Sequence, residues 1–450
     1  MNSHYFRRFL AKSFLRYRHR NFDQVTAELI EREHWPVDVL RTWQLEQLKK
    51  FLVHCYENVP FYSERFEEAR FNPHTFEHLS QIEAIPVLTK TDIRGNYERM
   101  TANGVDLKTL SKGSTGGSTG VPVVFFKDEY VRSYDAASVW RHMAWAGIEP
   151  GDPILRVGGQ AYVKSRKKRL FAKSQAYTMN FTSRTVASVT DEYLDTIVEY
   201  MQTKKPVAMW GYASGVYLIA RHFLKRGEKP KHLKAVFTTS EVLQDFHRET
   251  IREAFGLSPF DGYGGGDTGV ACECREHNGM HTNDSHRYIE LVNEEGKAVA
   301  HGEYGRVVVT NFLNRSWPYV RYDMGDLALA LPYEPCACGM TLPKIGTVQG
   351  RTGDFIRTID GKTATTPNFT LVFRYIFKEV KTYQIVQEKL EAVIVRVVPT
   401  ELYTQETNDH ILRSFRKILG DNIDIQLVLV EDVEVTRAGK RRIVISRLAQ

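Results

Sequence analysis

The spacing of hydrophobic positions changes along the chain and divides it into successive regions. Residues 43–57 carry apolar side chains at helical spacing and are followed by Asn58-Val59-Pro60, which predicts an amphipathic helix that ends at the proline. Between about residues 120 and 260, short apolar runs alternate with longer helical patterns. This alternation predicts strand–helix–strand units and therefore an α/β layered core.

The pattern becomes strand-rich from about residue 285 to 350 and then changes again. After the segment GRTGDF at 350–355, strand patterns surround a helix at 405–418, which is the content of a small α+β domain. We therefore predict an α/β protein with a large, multi-subdomain N-terminal domain over 1–352. Its β subdomain covers about 270–350, and a small, mobile α+β C-terminal domain covers 353–450.

Composition and charge exclude several classes of protein. With 450 residues, 42% of them hydrophobic and 26% charged, the chain can bury a sizeable globular core. The net charge of +7 suits an anionic ligand such as a nucleotide, but it is spread along the chain and does not indicate nucleic acid. No apolar run has the length of a membrane span and the N-terminus lacks a secretory signal, so the sequence favours a cytoplasmic protein.

The N-terminal segment is a local exception in charge. From Tyr5 to Arg18, aromatic and aliphatic residues alternate with cations at roughly helical spacing. A helix that lies on an anionic membrane surface has this pattern. A basic helix packed on its own domain has it too and is the commoner case, so a weak membrane contact stays open.

Residues 111–122, SKGSTGGSTGVP, alternate glycine with hydroxyl residues and lead directly into a strand pattern. Glycine lets the backbone approach an anion closely, and hydroxyl and main-chain N–H groups can donate to phosphate oxygens. The segment lacks the Gly-Lys pair of the common nucleotide-binding loop. It therefore suits a triphosphate, although its composition alone would also fit a flexible linker.

A second glycine-rich segment, DGYGGGDTG at 261–269, formally matches the dinucleotide fingerprint G-x-G-x-x-G. That fingerprint must follow an apolar strand and open a helix, and this segment does neither. An aromatic ring beside glycines and a carboxylate instead suits a base-stacking wall and a metal-binding acid. Three common polar turns follow it in order: RYDMGD at 321–326, GRTGD at 350–354 and RAGKRR at 437–442.

In this order, the segments resemble the adenylate-forming superfamily of acyl-CoA synthetases, luciferases and peptide-synthetase adenylation domains. The resemblance is closest to the phenylacetate-CoA ligase-like branch, which includes the CapK proteins, and the early stretches LKKFLVHCYENVPFYSERF and IPVLTKTDIR are typical of that branch. It spans nearly the whole chain. It implies an AMP-forming ligase that uses ATP and Mg²⁺ to join a carboxylic acid to AMP and then transfers the acyl group to CoA.

The resemblance assigns a role to each matching residue. Lys440 would act in catalysis from the C-terminal domain, and Asp267 would hold Mg²⁺. A positioned lysine and a metal suit the negative charge that develops when a carboxylate attacks the α-phosphate. The β- and γ-phosphates would lie against the phosphate loop, whose residues are Ser114, Thr115, Gly116, Gly117, Ser118, Thr119 and Gly120.

The nucleoside and the acid would lie further along the same site. By resemblance, Tyr263 with Gly264 would stack on adenine, Asp326 would bind the ribose hydroxyls and Arg351 would lie close to ribose and phosphate. Ser240 and Glu241 would lie beside the nucleotide. The acid pocket would be formed by Trp210, Gly211 and Tyr212, whose aromatic rings favour an aryl or apolar acid.

The sequence departs from the family pattern at three positions. The family often has lysine where Val121 stands, glutamate more often than Asp267, and aspartate or lysine rather than Gly353 at the hinge after Gly-Arg. These departures bear on rate and on rotation about Thr352-Gly353-Asp354 more than on the class of reaction.

Four of the five cysteines form two Cys-x-Cys pairs, which in an intracellular chain point to a metal before a disulfide. Cys55 lies in an apolar helical pattern and is expected in the core. Zinc takes four nitrogen and sulfur ligands, and zinc in this region is also a feature of some relatives in this branch. The expected structural site consists of Cys274, His281, Cys336 and Cys338, with Cys272 or His277 as possible replacements and free thiols as the alternative.

Two other functions remain open at the level of sequence. One is an AMP-forming amide or ester ligase that acts on an amine or sugar acceptor, in capsule, polysaccharide or natural-product biosynthesis. The other is a non-catalytic, zinc-stabilised binding protein with the same fold. The identity of the acid, the acceptor and the oligomeric state do not follow from the sequence.

Overall fold

A computed structural model describes residues 3–114, 123–158, 166–186, 190–264, 269–351, 355–359, 363–365, 368–369, 372–373, 376, 378–436 and 441–448. Over these ranges, no helix combines the length and the apolar character needed to cross a membrane.

The chain begins with a helical region that covers one side of the large domain. The predicted amphipathic helix is present and begins earlier than expected, at Val37. It ends at Asn58, and Pro60 opens the next helix because the first turn of a helix needs no proline N–H. The helices of this region are α1 (Ser3–Arg18), α2 (Phe22–Arg32), α3 (Val37–Asn58), α4 (Pro60–Glu68) and α5 (Lys90–Arg94).

An eleven-stranded sheet forms the centre of the large domain. Its first part is parallel, in the order β4-β3-β5-β6-β7, and follows the predicted strand–helix alternation. A separate hairpin, β1 (Ser111–Ser114) with β2 (Val124–Lys127), precedes it. The parallel strands are β3 (Ile154–Gly158), β4 (Phe181–Thr185), β5 (Ala208–Tyr212), β6 (Ala235–Thr239) and β7 (Phe260–Tyr263).

Helices cover both faces of this parallel part of the sheet. Neighbouring residues on each strand point to opposite faces, so each face has its own apolar core. On β5, Ala208 packs in the core beneath α1, α2 and α6, whereas Met209 packs in the core beneath α8, α9 and α10. The helices in this stretch of the chain are α6 (Glu129–Trp145), α7 (Arg166–Thr178), α8 (Asp191–Lys204), α9 (Ala213–Arg226) and α10 (Asp245–Phe255).

The predicted β subdomain continues the same sheet. The antiparallel pair β7–β8, with Gly262 opposite Cys272, joins it to the parallel part. The order onward from β7 is β8-β9-β13-β12-β11-β10. These strands are β8 (Ala271–Glu273), β9 (Met280–Thr282), β10 (Tyr288–Val292), β11 (Tyr304–Thr310), β12 (Tyr322–Ala330) and β13 (Lys344–Arg351).

Over its described residues, the C-terminal domain has a four-stranded sheet in the order β18-β17-β16-β19, and helix α11 (Gln405–Leu419) packs against it. Thr404 caps this helix by accepting from the N–H of Thr407. Ile411 and Phe415 on its inner face are fully buried. The strands are β14 (Phe355–Arg357), β15 (Thr363–Thr365), β16 (Val380–Lys389), β17 (Ala392–Pro399), β18 (Asp424–Leu429) and β19 (Val444–Ser446).

The core of the C-terminal domain extends onto the large domain. Tyr217 and Leu218 of α9 and Phe246 of α10 belong to the same buried cluster as the C-terminal strands. The predicted architecture, a large α/β domain followed by a small C-terminal domain, is confirmed. The packing holds the C-terminal domain beside the helices that flank β5 and β6.

Candidate active site and metal centre

The carboxyl ends of the parallel strands meet at one edge of the sheet. Ligands of open α/β sheets bind at this edge, because the loops that follow the strands converge there. Tyr212 is the last residue of β5, Tyr263 is the last residue of β7, and Glu241 follows β6 by two residues. Residues predicted for the acid pocket and the nucleotide therefore share this edge.

Tyr263 and Asp326 contact each other across the sheet. The Tyr263 hydroxyl donates to Asp326 Oδ2 at 2.9 Å, and both side chains are half-buried. Asp326 on β12 lies opposite Arg351 on β13. Gly264 follows Tyr263 with a φ of +97°, a conformation that favours glycine. Three residues predicted to bind the nucleoside and its phosphate thus belong to one neighbourhood.

Glu241 connects the two domains. Its Oε2 accepts from the N–H of Ser214 at 2.9 Å, and its Oε1 accepts from the N–H of Arg441 at 2.8 Å. Burial raises the pKa of this carboxyl, whereas the hydrogen bond from Ser214 acts in the opposite direction. Ser240, just before it, has a φ of +70°, which is uncommon for a residue other than glycine.

Arg441 was not predicted from the sequence, yet its side chain spans both domains. One guanidinium nitrogen, Nη1, donates to the Val186 carbonyl at 2.8 Å, and the other, Nη2, donates to Asp432 at 3.0 Å. The side chain is buried. The sequence signal was only its position in the basic run RAGKRR, directly after Lys440.

The predicted acid pocket lies on β5 beside β3. A Cβ atom at Gly211 would lie 2.0 Å from the Val157 carbonyl oxygen, so this position requires glycine. Trp210 is half-buried, and the guanidinium carbon of Arg156 lies 4.9 Å from the centroid of its ring. This cation–π contact adds Arg156, which sequence reasoning did not identify, to the residues around the predicted pocket.

Several predicted site residues lie outside the described residues. Ser114 ends β1 opposite Val124 on β2, so the two strands that flank the predicted phosphate loop form a hairpin. The roles of the remaining residues stay predictions. They are Thr115, Gly116, Gly117, Ser118, Thr119, Gly120, Asp267, Lys440 and the predicted pivot Thr352-Gly353-Asp354.

The predicted zinc ligands come together. The ligand atoms of Cys274, His281, Cys336 and Cys338 all lie within 4.8 Å of one another. The Cys274 and Cys336 sulfurs are 3.7 Å apart, and Cys338 Sγ is 3.4 Å from His281 Nε2. One nitrogen and three sulfurs in this arrangement suit a tetrahedral divalent cation of the zinc type.

The surroundings of the cluster orient its ligands. His281 Nδ1 donates to the Leu342 carbonyl at 2.8 Å, which leaves Nε2 to face Cys338. Burial raises the pKa of the Cys274 thiol, so a bound cation would be needed to hold it as thiolate. Cys272 is not in the group, and His277 contacts Glu273 at 3.1 Å instead.

Asp261, the first residue of the DGYGGG segment, has a different environment from that of a substrate-facing acid. The Thr238 hydroxyl donates to its carboxylate at 2.7 Å, and its own N–H donates to Glu273 at 3.0 Å. Burial, followed by repulsion from Glu273, raises the pKa of Asp261 to about 7. Asp261 therefore links β7, which carries Tyr263, to β6 and β8.

Comparisons with known proteins agree with this architecture. Residues 356–447 match the family described as the CapK C-terminal domain. The chain is 28% identical to a phenylacetate-coenzyme A ligase of Thermus thermophilus, over 85% of this chain and 86% of the relative. It is 23% identical to Protein CapK of Staphylococcus aureus, over 90% of this chain and 89% of the relative.

Among solved structures, 2-hydroxyisobutyryl-CoA ligase in its postadenylation state has a similar fold. The TM-score is 0.75 at 20% identity, covering 92% of this chain and 91% of that chain. The chain therefore has the fold of a CoA ligase and is similar in sequence, over most of its length, to a phenylacetate-coenzyme A ligase. Its sequence is likewise similar to Protein CapK, and its C-terminal part matches the CapK C-terminal domain.

Proposed function

We propose that the protein is an AMP-forming carboxylic acid–CoA ligase. The observation that carries the proposal is the contact between Tyr263 and Asp326, together with the register that sets Asp326 opposite Arg351. The names of the relatives support the same activity, because several are phenylacetate-coenzyme A ligases and a structural neighbour is a CoA ligase bound to an acyl-AMP.

In the first half-reaction, a carboxylate oxygen of the acid attacks the α-phosphorus of ATP. The bond between that phosphorus and the bridging oxygen breaks, and pyrophosphate leaves. Tyr263 would hold the adenine and Asp326 the ribose, which fixes the α-phosphate relative to the acid. Lys440 would stabilise the charge that develops there. Asp267 would hold Mg²⁺, which neutralises phosphate charge when bound.

In the second half-reaction, the CoA sulfur, having lost its proton to solvent, attacks the acyl carbon. The carbon–oxygen bond to the phosphate breaks and AMP leaves. The TM-score to 2-hydroxyisobutyryl-CoA ligase is 0.75 in the postadenylation state and 0.58 in the thioesterification state. This difference supports the present domain arrangement as the one that serves adenylation, with a rotation between 1–352 and 353–450 before acyl transfer.

We further propose that Cys274, His281, Cys336 and Cys338 hold a structural Zn²⁺. Four protein ligands fill a tetrahedron and leave no position for a substrate or water. The ion would join the β8–β9 hairpin to the segment that carries Cys336 and Cys338, and we assign it no part in the reaction.

The C-terminal match does not fix the acceptor. The C-terminal match is to the CapK C-terminal domain, a description that names no acceptor. An amine or a sugar hydroxyl could attack the same acyl-AMP in place of CoA. Product analysis with CoA, amines and sugars as acceptors would separate these possibilities.

The first test is acid-dependent ATP–pyrophosphate exchange, measured with a panel of aryl and short aliphatic acids. We expect wild-type exchange with at least one acid and a loss of at least roughly 10²-fold in Lys440→Ala, because that lysine acts on developing charge. Lys417→Ala is the matched control, since Lys417 is an exposed lysine of the same domain. Exchange that survives in Lys440→Ala contradicts the catalytic role. ATP binding without exchange for any acid favours the non-catalytic binding protein.

A further inference from the structure

Helices α1 and α7 lie side by side in antiparallel directions. Near the start of α1, the Arg7 guanidinium lies 4.5 Å from the Tyr177 ring centroid and donates to the Tyr177 carbonyl at 3.1 Å. Near its end, the Arg18 guanidinium lies 5.0 Å from the Phe171 ring, and Phe14 contacts the same ring at a centroid distance of 6.3 Å. The two helices therefore form one continuous surface, which we call the α1–α7 face.

The positive charge of the protein is concentrated on these two helices. Together they contain ten Lys and Arg residues and no Asp or Glu. The whole chain has 61 Lys and Arg against 54 Asp and Glu, so the rest of the molecule carries a net excess of three acidic residues. Three cations of α1 have acidic partners: Arg8 pairs with Glu149 and Asp152, Lys12 pairs with Glu149, and Arg16 pairs with Asp23. Counted together with these three acidic partners, the two helices still hold a net excess of seven cations, in a chain whose remainder is slightly acidic.

Large apolar side chains are exposed on the same face. On α1, Phe9 is 63% exposed and Tyr17 is 81% exposed, whereas Ala11 and Leu15 on the inner side are buried in the core. The helix thus anchors through one side and presents aromatic rings on the other. Further exposed apolar residues of the two helices are Tyr5, Phe6, Leu170, Phe171 and Tyr177.

We propose that the α1–α7 face binds the surface of an anionic phospholipid membrane. Aromatic and aliphatic side chains partition into the headgroup region, and surrounding Lys and Arg residues are attracted to acidic lipid. A second copy of the chain does not suit this face, since it would bring a second basic surface against the first. The inference concerns attachment and does not rest on the proposed reaction.

The test is co-sedimentation of the full chain with vesicles of phosphatidylcholine alone or mixed with phosphatidylglycerol. We expect binding to the mixed vesicles, weaker binding to phosphatidylcholine alone, and loss of binding at high salt because the charges are screened. Phe9→Ser with Leu170→Ser removes exposed apolar area, and Arg18→Glu with Lys173→Glu reverses charge. Each pair should lower vesicle affinity by roughly tenfold or more.

Matched controls make the same chemical changes elsewhere. Leu402→Ser alters an exposed apolar residue and Lys231→Glu an exposed cation, both outside α1 and α7. Both controls should bind vesicles as the wild type does, and circular dichroism should show all variants folded. Equal loss in the controls, equal binding to both kinds of vesicle, or capture of RNA or an acidic protein without vesicle binding would overturn the proposal. Vesicle binding needs no ATP, so its outcome is separate from that of the exchange assay.

Discussion

At the scale of single residues, two residues that family motifs assign to the same ligand lie in contact in the structure. Tyr263 and Asp326 stand 63 positions apart in the chain, and only their motifs suggested a common ligand. Arg441 and Arg156 were not predicted from the sequence. Their contacts with Glu241 and Trp210 result from domain packing and strand pairing, which local sequence patterns do not encode.

Asp261 gives a prediction about pH and stability. Its pKa of about 7 in the folded protein exceeds the value of roughly 3.9 for an unfolded aspartate, so the folded state holds the extra proton between these values. Stability should therefore fall as pH rises from about 4 to 7, and Asp261→Asn should remove this loss. We expect the variant to gain on the order of 2 kcal/mol relative to wild type between pH 5 and pH 8 in urea unfolding.

The control for this titration is Asp421→Asn, which changes an exposed aspartate. It should leave the pH profile of the wild type unchanged. A difference between Asp261→Asn and wild type that stays constant from low to high pH would show that Asp261 is already ionised in the folded protein.

At the scale of elements, the alternation of strands and helices predicted the parallel sheet. It did not predict that β7, the last parallel strand, pairs with β8. Periodicity shows which residues of a strand face a core and not which neighbour the strand takes. The β7–β8 pair makes the predicted β subdomain a continuation of the main sheet. The β8–β9 pair then brings the Cys272–Cys274 segment beside β9, which carries His281.

The metal cluster gives the prediction at this scale. Purified protein should contain about one zinc per chain, and Cys336→Ser should lower both zinc content and melting temperature, because a bound ion stabilises the fold that forms its site. Zinc is measured by elemental analysis and melting by calorimetry.

Cys272→Ser is the matched control for the zinc prediction. It removes a neighbouring thiol that lies outside the four-residue group, and it should retain the metal. Protein without metal, together with a Cys336→Ser variant that melts like wild type, would mean that the cluster is a set of thiols.

At the scale of the whole molecule, the placement of the C-terminal domain would determine which half-reaction of the proposed ligase this arrangement serves. Apolar contacts from Tyr217, Leu218 and Phe246 hold the two domains together. Arg441 adds polar contacts between the domains: its N–H donates to Glu241, and its side chain donates to the Val186 carbonyl.

This arrangement leads to a prediction that separates the two half-reactions. Arg441→Ala removes the side-chain hydrogen bond to Val186 and should weaken the present domain arrangement. A charged hydrogen bond contributes roughly 1.5–3 kcal/mol, so we expect ATP–pyrophosphate exchange to fall about tenfold or more. Thioester formation from supplied acyl-AMP should be spared, since it would use the other orientation.

Asp432→Asn is the control, because it alters the partner of Arg441 within the C-terminal domain and leaves the contact to Val186 in place. Equal loss of both half-reactions in folded Arg441→Ala, or no loss of either, would remove the support for a domain contact specific to adenylation.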